Sequence, residues 1–159
     1  MRSPRLQRLS KGTRRTRVGR FSERNRIYHV TTKTLDNQPV FQSFGCARIL
    51  IDLLRQQQTA THASSLAFVV MPDHLHWLMQ LTGDRSLPIC VNAVKSGSTR
   101  RINATTGRSG RLWQKGFYDH AIRTEEDLPA IARYIVANPV RAGIVASART
   151  YPHWDAMWL

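Results

Sequence analysis

Beyond residue 25 the chain alternates between short runs of β-branched and aromatic residues and longer stretches with apolar residues at helical spacing. Ile27-Tyr28-His29-Val30-Thr31-Thr32-Lys33-Thr34 predicts a first strand, and Leu35 to Pro39 a turn. From about Gly45 to Gln58, Cys46, Ile49, Leu50, Leu53 and Leu54 recur with the period of a helix. Leu66 to Val70 and His74 to Leu81 read as strand, interrupted at Met71-Pro72-Asp73 because proline has no N–H to give to a ladder. A turn at Gly83 to Ser86 precedes a second helix from Leu87 to about Ile102, with Val91, Val94, Ser98 and Ile102 on one face. Asn103 to Gly110 is a polar loop, and Leu112 to Arg123 a further strand or hairpin segment. A last helix begins at Thr124, where Thr124 and Asp127 resemble a capping box with Asp in place of Glu. Its apolar stripe is Leu128, Ile131, Ala132, Ile135 and Val136. Asn138-Pro139 ends or kinks that helix, and Pro139 suits the start of a short helix stopped by Gly143. This order predicts one α+β domain over residues 25–159, an antiparallel sheet with helices on one face.

Charge adds a partner class. The 159 residues hold 24 Lys and Arg against 10 Asp and Glu, a formal net charge of +14. Arg2, Arg5, Arg8, Lys11, Arg14, Arg15, Arg17 and Arg20 lie in the first 20 residues without an acid, so the remainder still carries about +6. A basic, aperiodic arm over residues 1–24, disordered until bound, attached to a basic domain points to a polyanion, most simply nucleic acid. There is no apolar run long enough for a membrane span and no apolar segment soon enough for a secretory signal. Cys46 and Cys90 form no paired motif and read as reduced, buried thiols of a cytoplasmic protein.

Chemistry enters with His74 and His76. Residues two apart on a strand share a face, so both imidazoles project together while Leu75 points away. Two imidazoles from an otherwise apolar strand suggest a metal site, against the ordinary alternative of hydrogen-bonded core histidines. Asp73 stands beside them as a supporting group, although alternation starts its side chain on the face opposite His74. On the last helix, Tyr134 and Asn138 are one turn apart at the edge of the apolar stripe. The phenol is a possible oxygen nucleophile and the amide oxygen a possible metal ligand. The plain alternative is a boundary tyrosine and an asparagine closing a helix before proline. Two imidazoles alone suit zinc or another transition metal.

Three segments together resemble one family. Pro72-Asp73-His74-Leu75-His76 looks like the His-hydrophobic-His motif of HUH endonucleases. Leu112-Trp113-Gln114-Lys115-Gly116-Phe117-Tyr118-Asp119-His120-Ala121-Ile122-Arg123 and the stretch from Tyr134-Ile135-Val136-Ala137-Asn138-Pro139 to Val145 are similar to segments of REP-associated tyrosine transposases. These are relatives of the single-tyrosine transposases of small bacterial insertion sequences. The resemblance covers roughly residues 25–155 and leaves the basic arm unmatched. It implies a ferredoxin-like (RRM-like) fold of HUH type, with His74, His76 and Asn138 holding Mg²⁺ or Mn²⁺ and Tyr134 as nucleophile. The implied substrate is single-stranded DNA near a hairpin, of the repetitive extragenic palindrome (REP) kind. That DNA would be cut and rejoined through a 5′-phosphotyrosine by a monomer or homodimer.

Around that centre, Lys95, Arg100, Arg101, Lys115, Arg123 and Arg141 are candidates for phosphate contacts, each alone a weak one. His120 is a candidate for DNA contact or for protonating the leaving oxygen, with a structural role as its alternative. Trp113, Phe117 and Tyr118 are candidates for stacking on bases or for the core. Two other functions compete: a DNA-binding relative that does not cut, and a metal-dependent hydrolase in which Tyr134 is only structural. The charge, and the lack of an Asp or Glu placed as general base beside the histidines, argue against the hydrolase.

Overall fold

The computed structural model describes residues 22–159. The basic arm expected over residues 1–24 therefore lies outside the described residues as far as residue 21. Ser22 is already attached to the domain, its hydroxyl accepting the Leu87 N–H at 2.8 Å.

Five strands form one antiparallel sheet in the order β4-β1-β3-β2-β5. They are β1 (Ile27–Lys33), β2 (Ala63–Met71), β3 (His74–Leu81), β4 (Tyr118–Ala121) and β5 (Trp154–Ala156). The expected interruption at residues 71–73 is a tight hairpin: Met71 pairs with His74, and Pro72-Asp73 is the turn between them. A bulge at Ser65/Ala67 in β2 turns Leu66 and Ala67 into the same apolar cluster.

Helices α1 (Phe44–Thr59) and α2 (Leu87–Thr106) cover one face of the sheet. Leu75, Trp77, Met79 and Leu81 of β3 join Leu50, Leu54, Val91 and Ile102 of these helices in a continuous core. The two helices meet closely at Gly97, where a Cβ would lie 2.5 Å from Leu53 Cδ1. Helix α2 runs four residues past the expected end at Ile102 and closes at Gly107, whose φ of 70° is the left-handed cap glycine adopts without strain.

The third helix departs from the expected layering. Helix α3 (Leu128–Val136) lies on the opposite face, where Ala132, Ile135 and Val136 pack with Leu66, Ala67, Val69, Met71 and Leu78. It begins at Leu128 rather than Thr124. Asp127 is the N-cap, its side chain accepting the Ala130 N–H at 3.1 Å, and Pro129 sits in the first turn. The Thr124 hydroxyl turns to Glu125 instead. A short α4 (Asn138–Arg141) follows at once and is closed by Gly143. Of the segment 112–123, only Tyr118 to Ala121 is strand, and Trp113 makes one isolated bridge to Thr34. Among the described residues, no helix is long and apolar enough to cross a membrane.

Candidate functional site

The hairpin β2–β3 positions the two histidines. Alternation along β3 sends His74 and His76 to the α3 face, and their ring centroids are 5.0 Å apart, edge to face. Asp73 is not on the far side of the strand. It sits in the turn, where strand alternation does not apply, and its Oδ1 lies 2.6 Å from His74 Nδ1. A carboxylate only accepts, so Nδ1 of His74 is the donor and Nε2 is its free nitrogen.

His76 has two partners on β1. Its Nδ1 is 3.1 Å from His29 Nε2 and 3.1 Å from Thr31 Oγ1. Thr31 is its direct cross-strand partner, and His29 lies one same-face position along. Both rings sit deep among protein atoms although an edge of each reaches solvent. Burial, and after it the charge of His120, pushes His29 down to about 4. Burial also holds His76 well below the ordinary histidine value, aided by the charges of His29, His74, Arg141 and Lys33. Both rings are therefore neutral near pH 7, the form in which an imidazole can bind a metal.

Helix α3, which carries Tyr134, lies on the same side of the sheet. Val69 and Met71, the cross-strand partners of His76 and His74, are packed by Ile135 and Val136. Tyr134 is half-buried on that helix, and the Arg141 guanidinium lies 3.7 Å from its ring centroid. Because Arg141 is among the charges acting on His76, the short α4 links the tyrosine to the histidine pair. Asn138 Nδ2 donates to Ile135 O at 2.8 Å, leaving the amide oxygen as its free end. Arg141 is thus placed with the tyrosine and the histidines.

The other expected cations divide. Lys95, Arg100 and Lys115 line a groove of about 1340 Å³ together with Lys33 and Arg111, and no acidic side chain lines it. Lys95 also holds the groove wall, its Nζ donating to Gln114 O at 2.8 Å and Gly116 O at 2.6 Å. The groove does not include His74, His76, Tyr134 or Asn138, but it reaches the histidine pair through Thr31, bonded to His76, and Lys33, the cross-strand partner of His74. Arg101 points elsewhere, pairing with Asp52 on α1 at 2.5 Å. Arg123 is exposed in the turn after β4, where its N–H donates to Glu126 at 2.6 Å. His120, cross-strand partner of His29, is bound to Glu126 Oε1 at 2.9 Å. Trp113 and Phe117 are core residues, with Trp113 Nε1 donating to Ser98 Oγ at 3.0 Å, so their rings are not free to stack on bases. Tyr118 remains half-buried at the groove. Sequence reading missed His29, Thr31, Lys33, Arg111 and Glu126. The alternation of His29 and Thr31 on β1 was the available signal for the first two.

Among the described residues, no three or more His, Cys, Asp and Glu side chains converge as a metal cage. A site here has to combine imidazole with amide, water or phosphate oxygen. The free Nε2 of His74, the neutral His76 and the free Asn138 oxygen fit such a mixed set.

A family model described as Transposase IS200 like matches residues 22–138, a span that holds His74, His76, Tyr134 and Asn138. The chain is 32% identical over 109 residues to the Haemophilus influenzae protein named "Putative REP-associated tyrosine transposase", covering 61% of this chain and 62% of that one. It is 31% identical over 87 residues to the Escherichia coli REP-associated tyrosine transposase, covering 54% of this chain and 50% of that one. It thus spans between half and two thirds of the length of these relatives. The solved structure of a REP-associated tyrosine transposase bound to a REP hairpin matches with a TM-score of 0.70 at 22% identity. That match covers 85% of this chain and 79% of that one and shows a shared fold.

Proposed function

Because the chain belongs to the IS200-like family of single-tyrosine HUH transposases, we propose that it cuts and rejoins single-stranded DNA beside a hairpin of the REP kind, with Tyr134 as nucleophile. The Tyr134 oxygen attacks a phosphodiester, a 5′-phosphotyrosine forms, and a 3′-hydroxyl leaves with the displaced electron pair. A second hydroxyl later reverses the step on new DNA, so the bond energy is kept and no nucleotide triphosphate is required.

The observation that supports this reading is Arg141, which stacks on the Tyr134 ring and whose charge acts on His76 of the edge-to-face His74–His76 pair. Arg141 packs on the phenol ring, and its cation would steady a phosphate brought to that hydroxyl. His74, His76 and Asn138 would hold Mg²⁺ or Mn²⁺. When bound, that ion supplies Lewis-acid stabilisation of the charge gained by the scissile phosphate. The cations of the groove along α2 and β1 hold flanking backbone through phosphate contacts.

The test is incubation with single-stranded hairpin DNA and Mn²⁺, followed by a denaturing gel. We expect a covalent protein–DNA adduct that Tyr134→Phe removes while hairpin binding persists. Binding without an adduct in the wild type would make the protein a DNA-binding relative that does not cut. DNA hydrolysis that survives Tyr134→Phe would make it a metal-dependent hydrolase.

A further inference from the structure

The hydrogen bonds of His76 single out a side chain that the proposed reaction leaves unused. His76 Nδ1 lies at the same distance, 3.1 Å, from His29 Nε2 and from Thr31 Oγ1. A ring nitrogen without a proton has one in-plane lone pair and cannot accept well from two donors at once. A ring N–H can share its proton between two acceptors in a three-centre bond, a common arrangement. Equal contacts therefore favour Nδ1 as the donor, with His29 and Thr31 both accepting. A hydroxyl can give or take a proton, so Thr31 alone does not decide which nitrogen of His76 is protonated.

We propose that His29 is a positioning residue for His76: its Nε2 accepts the Nδ1 proton and so keeps Nε2 of His76 bare and aimed away from β1. His74 is arranged the same way by a different partner, since Asp73 accepts from its Nδ1 at 2.6 Å. The two imidazoles thus present equivalent nitrogens, one set by a carboxylate in the turn and the other by a histidine on the neighbouring strand. The ring of His29, 5.3 Å from that of His76 between centroids, also restricts the second ring by packing. This inference rests on the reading of His74 and His76 as metal ligands.

Two measurements test it. The first needs neither metal nor DNA: long-range ¹⁵N–¹H correlations of the His76 ring in the metal-free protein at neutral pH. We expect the Nδ1-protonated form, and the Nε2-protonated form would overturn the proposal. The second is Mn²⁺ affinity by calorimetry. His29→Leu should weaken it about 10- to 100-fold, the usual effect of removing a ligand's supporting hydrogen bond. His29→Gln, whose amide oxygen can accept the same proton, should restore most of the loss. Thermal midpoints and hairpin binding should stay at wild-type values in both His29 variants. Unchanged Mn²⁺ affinity in His29→Leu, beside a clear loss in His76→Ala, would overturn the positioning role alone. If His76→Ala itself leaves Mn²⁺ affinity unchanged, the metal site is wrong, and the ring protonation still decides what His29 does.

Discussion

Strand β3 separates two unlike halves of the molecule. Toward α1 and α2 it presents Leu75, Trp77, Met79 and Leu81 to a dry core. Toward α3 it presents His74, His76, Leu78 and Gln80, of which only Leu78 joins the apolar cluster there. The same backbone, read at a period of two, supplies cohesion on one side and chemistry on the other. Stability and function are therefore separable along a single strand. The first face is fully covered, while the second leaves the imidazoles partly exposed because its covering helix is short and meets mainly β2 and β5.

The largest effect that would break this division is Trp77→Ala against His74→Ala, three positions apart on one strand. Trp77 is 1% exposed, and its Nε1 donates to Ser65 Oγ at 2.8 Å. Its removal should cost about 3–5 kcal/mol, a large share of a domain's total stability. His74→Ala removes a half-buried ring and should cost under about 1 kcal/mol while removing DNA cleavage. Urea denaturation of both variants measures the contrast. Equal destabilisation would mean that the histidine face is structural after all.

The chain made the period-two face of His74 and His76 legible because that pattern needs no tertiary information. Helical spacing likewise gave α1 and most of α2. What spacing does not encode is the side of the sheet a helix lands on. The stripe of Leu128, Ile131, Ala132 and Ile135 looks the same packed above or below, and the structure puts α3, unlike α1 and α2, on the histidine side. The Thr124 start was misread because Asp127 competes for the same cap and Pro129 favours a first turn. Strand β5 was missed because Trp154-Asp155-Ala156 is too short to show a period and exists by pairing with the free edge of β2. His29 lay in plain view on a predicted strand, but its importance is set by register with His76, which only folding supplies. The stacking of Arg141 on Tyr134 crosses the break at Asn138-Pro139, so helical spacing did not foretell it.

A smaller effect sharpens the histidine side. Tyr151 belongs to the cluster under α3, and its hydroxyl donates to Val70 O in β2. Burial pushes this phenol up to about 12. A group whose folded pKa is raised adds stability below its unfolded value and loses it as pH climbs to the folded one. Between about pH 10 and about pH 12 the unfolded chain sheds the Tyr151 proton while the folded one keeps it. Wild-type stability should therefore fall more steeply with pH across that window than that of Tyr151→Phe, which should be about 1 kcal/mol less stable at pH 7. Parallel alkaline denaturation curves would show that Tyr151 is not held in its protonated form.

The smallest expected effect lies at the turn that delivers the chain from β4 to α3. Glu126 is pushed up by burial, but the Arg123 N–H and the His120 ring outweigh this and hold its carboxyl below the ordinary value. The sign follows from the depressed folded pKa. The contribution is present above the ordinary carboxylate range and is lost as pH falls through the folded value. Glu126→Gln keeps an oxygen for the Arg123 N–H and removes only the charge. The variant should be less stable than wild type by under about 1 kcal/mol at neutral pH, as expected for a partly exposed carboxylate. That gap should close between about pH 5 and about pH 3. Urea midpoints at both ends of the window read it out. A gap that stays constant would assign Glu126 a purely packing role and leave the turn before α3 without an electrostatic tie to the histidine side.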